Sequence, residues 1–242
     1  MRAIITCLLF VAASLSVHAQ QKVIYDAHAE KRPVSAFHAI RVSQGITLIL
    51  EQGGEEALAI SADKKEYGDA VKTEVVNGEL RIYIEQSLNK WWQQLKKKGI
   101  DVKAYVSFKI LDKLDASSGV EVKINGKLSA QNLGISLSSG AGIKGELKLV
   151  QLKINQSSGA RSDLSGQVQN LQVTVSSGAH FRGYQLTVQE SEADASSGGK
   201  IELMVNKQLE VSASSGGAIT YKGEGRISSI RTGSGGKIRR AG

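Results

Sequence analysis

A recurring Ser-Gly motif places serine directly before glycine at Ser118, Ser139, Ser158, Ser177, Ser197, Ser215 and Ser234. In six of these a second serine comes first, at Ser117, Ser138, Ser157, Ser176, Ser196 and Ser214. A catalytic serine must differ from its neighbours and have a base within reach. Here all copies are equivalent. Of the four histidines, His18, His28, His38 and His180, only His180 is close in sequence to one of these serines. No Gly-x-Ser-x-Gly elbow feeds a helix. The serines therefore read as architecture rather than as nucleophiles.

Two other groups have chemistry to offer. Glu190, Glu192 and Asp194 alternate in "QESEADA", so they share one strand face, and carboxylates so placed are the donors a hard cation takes. A polysaccharide lyase holding calcium uses such residues, but no lysine or arginine is evidently paired with these three as a base. A solvated face is the plainer reading, and no metal or other cofactor is assigned. Trp91 and Trp92, followed by Lys96, Lys97 and Lys98, offer rings that stack on sugars and cations that attract anionic groups. The structural alternative is that the tryptophans anchor a short helix, which needs a buried apolar face to form.

The elements that carry these residues follow from an internal repeat. The glycines of the motif, Gly119, Gly140, Gly159, Gly178, Gly198, Gly216 and Gly235, are separated by 21, 19, 19, 20, 18 and 19 residues. Five positions before the glycine stand Leu114, Ile135, Ile154, Val173, Ala193, Val211 and Ile230. Three after it stand Val122, Ile143, Ser162, Phe181, Ile201, Ile219 and Ile238. The columns four before and four after are polar in every unit, from Asp115 and Lys123 to Arg231 and Arg239. Alternation with period two marks strands with one buried face.

A unit of this length fits one coil of a β-solenoid, with like columns stacked about 4.8 Å apart. The expected fold is all-β: a right-handed β-helix of about seven coils over residues 111–242, with a less regular β-rich part over 20–110. Asn77-Gly78 between alternating runs predicts a hairpin. "SLNKWWQQLKKKG" predicts a helix over 88–98. Its Leu88, Trp91, Trp92 and Leu95 fall at helical spacing, with Gly99 as the stop. No Pro-, Gly- or Ser-rich linker divides the halves, which points to one continuous domain. If period two runs unbroken through each turn, the serine before the glycine faces inward as a hydrogen-bonded ladder. The serine before that faces outward as a candidate ligand strip, and the glycine makes the bend.

Residues 1–19 have the layout of a cleaved signal peptide: Arg2, an apolar run from Ile4 to Leu15, then Val17-His18-Ala19. Export follows, to the periplasm, the outer-membrane surface or the medium. Cys7 leaves with that segment, so packing rather than disulfides must hold the fold. The net charge, +8, becomes +7 once Arg2 is removed, which suits solubility and weak attraction to anionic glycans or headgroups. The basic C-terminal residues Arg226, Arg231, Lys237, Arg239 and Arg240 read as a solubilising cap. No nucleic-acid motif is present, and no later run is long and apolar enough to span a bilayer.

"FHAIRVSQGITLILEQG", "VKTEVVNGELRIYIE", the tryptophan-bearing insert, the Ser-Gly repeats and "YKGEGRI" before a last Ser-Gly-Gly resemble, in that order, one family over residues 37–239. It is the Bacteroidetes family of auto-transporter adhesins with the head GIN domain, first described as a domain of unknown function. The resemblance implies an exported β-helical protein of a Gram-negative bacterium and brings no binding residues with it. On this reading the chain is expected to carry no translocating C-terminal barrel of its own. The resulting expectation is a non-enzymatic adhesin or cell-envelope binding protein whose partner is a glycan or an envelope protein. The alternatives are a lyase-like enzyme acting near Glu192, or a structural protein whose exposed solenoid ends pair into a homo-oligomer.

Overall fold

The computed structural model describes Asp26, residues 28–97 and residues 101–241. The expected signal segment lies outside the described residues, as do Lys98, Gly99 and the side chains of Leu95, Lys96 and Lys97. The chain runs through β1 (Ala29–Arg32), β2 (Ala39–Val42), β3 (Thr47–Gln52), β4 (Ala57–Ala62), α1 (Lys65–Asp69), β5 (Val71–Val76) and β6 (Glu79–Ile84). A short 3-10 turn leads into α2 (Asn89–Lys97), then β7 (Val102–Phe108) and β8 (Lys113–Ala116). The bent strands β9 (Glu121–Leu137), β10 (Gly142–Gln156), β11 (Arg161–Val175), β12 (His180–Ala195) and β13 (Lys200–Ala213) follow. The chain closes with β14 (Ala218–Lys222), β15 (Arg226–Thr232) and β16 (Lys237–Arg240).

From β9 to β13 every pairing is parallel, each strand lying on its counterpart one coil earlier, so the repeats stack as a β-solenoid. The columns read from sequence stack in register: Ile135, Ile154, Val173, Ala193 and Val211 lie one above another, as do Ile143, Ser162, Phe181 and Ile201. All are buried. Differences in coil length fall largely at one corner, where the register shifts between Lys144 and Glu146, between Asp163 and Ser165, and between Gly183 and Thr187.

The Ser-Gly turn contradicts one expectation. Ser118, Ser139, Ser158, Ser177, Ser197 and Ser215 are exposed with φ between 48° and 57°, and the glycines after them have φ between 71° and 75°. Two consecutive residues with positive φ are the mark of a type I′ turn. The carbonyl of Ser138 accepts from the N–H of Ala141 at 3.0 Å and closes that turn; Ser157 and Ala160 do the same at 3.1 Å. Ser118 and its equivalents therefore face out, whereas Ser117, Ser138, Ser157, Ser176, Ser196 and Ser214 are half-buried. Burial keeps period two on both sides of the turn. Only the odd position on the turn itself is thrown outward, because left-handed backbone reverses the chain there. Ser234 is exposed as well.

Nor do the hydroxyls form the ladder. The N–H of each turn glycine donates to the carbonyl of the exposed serine one coil on, as from Gly119 to Ser139 at 3.0 Å and from Gly140 to Ser158 at 2.9 Å. The stack is thus carried through the corner by backbone alone.

Two polar residues break the apolar columns together. Gln156 and Ser162 flank one turn, both buried, and the Ser162 hydroxyl donates to Gln156 Oε1 at 3.3 Å. Ser162→Ala is expected to cost about 1–2 kcal/mol, because it strips a buried carbonyl oxygen of its only partner among the described residues. Replacing both residues by apolar ones of similar size should recover most of that loss. A double-mutant cycle on urea unfolding measures the coupling.

Candidate binding surface

The first rung of the solenoid precedes the repeats. Val42-Ser43-Gln44-Gly45-Ile46 makes the same turn, with φ of 61° at Gln44 and 67° at Gly45. Ser117 N–H donates to Val42 O at 3.1 Å, and β2 and β3 pair in parallel with β8 and β9. The chain leaves after β3 and returns at β7 and β8, and the excursion covers the N-terminal end. β7, β4 and β1 extend one face, while β6 and β5 extend another. Asn77-Gly78 turns the β5–β6 hairpin with both φ values positive. Sequence reading missed this rung, although Ile40 five before Gly45 and Leu48 three after it match the repeat columns.

Trp92 closes the turn column. Its indole Nε1–H donates to Gln44 O at 2.6 Å, the carbonyl that in later coils accepts from a preceding glycine. The ring is 2% exposed, so Trp92 is an anchor and not a ligand platform. Trp91 remains 36% exposed, its ring centroid 5.9 Å from Tyr67 and 6.4 Å from Trp92. At the other end, β15 and β16 each have one unpaired edge, among the described residues. Ile230 is 54% exposed there, whereas its column is buried in every earlier coil. Arg226, Arg231, Lys237, Arg239 and Arg240 line this edge, and cations on an open edge discourage strand pairing.

A groove lies on the outward face of β9–β13. An open trough of about 630 Å³ runs across five coils between two side-chain columns. One column is Asn132, Gln151, Asn170, Glu190 and Gln208; the other is Gly134, Lys153, Gln172, Glu192 and Glu210. Between them the column is buried: Leu133, Leu152, Leu171 and Leu209, with Ser191 in its place on β12. Among the described residues, Gln172 Nε2 donating to Glu192 at 3.1 Å is the only side-chain hydrogen bond within these columns. The two candidate carboxylates Glu190 and Glu192 stand on opposite sides of the trough, and Asp194 is half-buried farther along β12. Among the described residues, no three His, Cys, Asp or Glu side chains converge as a metal centre requires.

His180, the histidine of the repeats, does not activate a serine. Its ring is buried enough to hold its pKa below the ordinary value, while the Glu202 carboxylate, 3.6 Å from Nε2, works against that shift. It makes no hydrogen bond to Ser177, among the described residues.

Stacked parallel coils with a capped first rung and long polar faces define a β-solenoid. The chain belongs to the family described as "putative auto-transporter adhesin, head GIN domain", whose model matches residues 36–225. Its fold is shared with a putative adhesin from Bacteroides fragilis, 18% identical, at a TM-score of 0.77 over 88% of this chain and 96% of the other. A putative lipid binding protein from Parabacteroides distasonis is 18% identical, with a TM-score of 0.67 over 90% and 98% of the two chains. A putative adhesin from Parabacteroides merdae is 15% identical, with a TM-score of 0.65 over 88% and 95%. A search among curated proteins gave no match. No helix of the described residues is long and apolar enough to cross a membrane.

Proposed function

We propose that this chain is an exported, non-enzymatic binding protein of the cell envelope or cell surface, acting through the outward faces of its solenoid. The observation that carries the proposal is the trough on β9–β13, where polar side chains occupy matching positions on successive coils, most of them exposed. A surface that repeats along one axis suits an extended partner, a glycan or the surface of an envelope protein, better than a small substrate. The signal-like segment and the adhesin family support export and surface binding.

The test is pull-down of envelope fractions and glycan-array binding with protein purified after export. Saturable binding in at least one of the two is expected. Its absence from both, at low and at physiological salt, overturns the proposal.

A further inference from the structure

We infer that the trough on β9–β13 is the binding site for a linear, uncharged, hydroxyl-rich polymer lying along the solenoid axis, a neutral glycan chain. This rests on the proposed binding function and names its site and ligand class.

The backbone beneath the trough is already spent. β10, β11 and β12 are paired on both sides, so a ligand there meets side-chain ends and not free N–H or C=O groups. That removes the means by which an extended peptide adds to a sheet. What remains is the amide column, Asn132, Gln151, Asn170 and Gln208, interrupted by Glu190. Each amide offers both donor and acceptor, and each carboxylate offers acceptors. Hydroxyl groups pair with both kinds, donating to either and accepting from the amide NH2.

Stacked amides are often satisfied by one another, and such a ladder would explain the column without any ligand. The geometry argues otherwise. The side chains of Asn132, Gln151, Asn170, Glu190 and Gln208 make no hydrogen bond to the protein, among the described residues, although they lie in register on adjacent coils. Their polar ends are therefore free to face a ligand. Four inter-coil steps of about 4.8 Å give a row about 19 Å long, which calls for a chain rather than a single sugar.

Charge sets the class. Glu190, Glu192 and Glu210 line the trough against a single cation, Lys153, so a uronate or sulfated polymer meets net repulsion there despite the positive charge of the whole chain.

The experiment is affinity electrophoresis and titration calorimetry with protein purified after export. Xylan, mixed-linkage glucan and glucomannan serve as neutral polymers, and alginate and polygalacturonate as anionic ones. Binding to at least one neutral polymer is expected. The triple variant Gln151→Ala, Asn170→Ala, Gln208→Ala should weaken it about tenfold or more, as loss of several ligand hydrogen bonds implies. These residues are on the surface, so melting should be unchanged; if the triple variant misfolds, Gln151→Ala alone should still weaken binding about threefold. Neutral-polymer binding that the variants leave unchanged overturns the inference, and so does retention by anionic polymers alone. Retention by none of the polymers alongside binding to envelope fractions overturns the inference but leaves the proposed function standing. Failure of both kinds of binding overturns both.

Discussion

Trp92→Ala is expected to lower stability by about 3–5 kcal/mol, the range for truncating a buried aromatic ring. The ring is packed into the core beneath α2 and completes the turn column by its bond to Gln44 O. Trp92→Phe separates the two contributions. It keeps most of the apolar burial but leaves that carbonyl without its donor, which should cost about 1–3 kcal/mol. Trp91→Ala, by contrast, gives up a half-covered ring against Tyr67 and should cost about 1 kcal/mol. Urea unfolding followed by circular dichroism ranks the three variants. A Trp92→Phe variant as stable as the parent would show that the indole N–H caps nothing of consequence.

The second large effect is at Gly166, in the corner where coil length varies. Its φ is +106°, and a Cβ there would lie 2.1 Å from the carbonyl oxygen of Leu147 on the coil before. That oxygen belongs to a stacked strand and has no free rotation to escape. Gly166→Ala is therefore expected to cost about 2–5 kcal/mol, combining left-handed strain with overpacking. Gly159→Ala is the control. Its φ is +72° but nothing lies within 4 Å of the added atom, so it should cost only about 1–2 kcal/mol. Ser158→Gly relieves a side chain held at φ +51° and should stay within about 1 kcal/mol of the parent. Thermal melts should order these as Ser158→Gly, Gly159→Ala, Gly166→Ala from most to least stable. A Gly166→Ala midpoint equal to that of Gly159→Ala would rule out the tight corner.

The Ser158 expectation reverses what parity alone implies. A period-two pattern carried through the motif puts Ser118 and its equivalents inside, where their loss should destabilise. The structure puts them outside, on a turn whose ladder is made by backbone. Parity describes extended chain, and two successive residues with positive φ are not extended. Ser-Gly flanked by strands is a turn signal in its own right, and it overrides parity at each copy of the motif.

What the sequence determined by itself is the solenoid. Columns of Leu, Ile and Val at a spacing near 19 residues admit one stacking, because shifting any coil by one residue would turn its core face to water. The polar columns that become the walls of the trough can be read from the same alignment of units. Tertiary structure decided where the stack begins and how its ends are treated. Gly45 joins a column whose next member is Gly119, and Trp92 reaches Gln44 across 48 residues, contacts with no local periodicity to announce them. The direction of a side chain on a turn, the covering of the N-terminal end by β1, β4, β5, β6 and β7, and the free amides above the leucine column are likewise set by packing between distant segments. Residue spacing specifies which faces must be buried; only the assembled coils decide which polar groups are left without a partner.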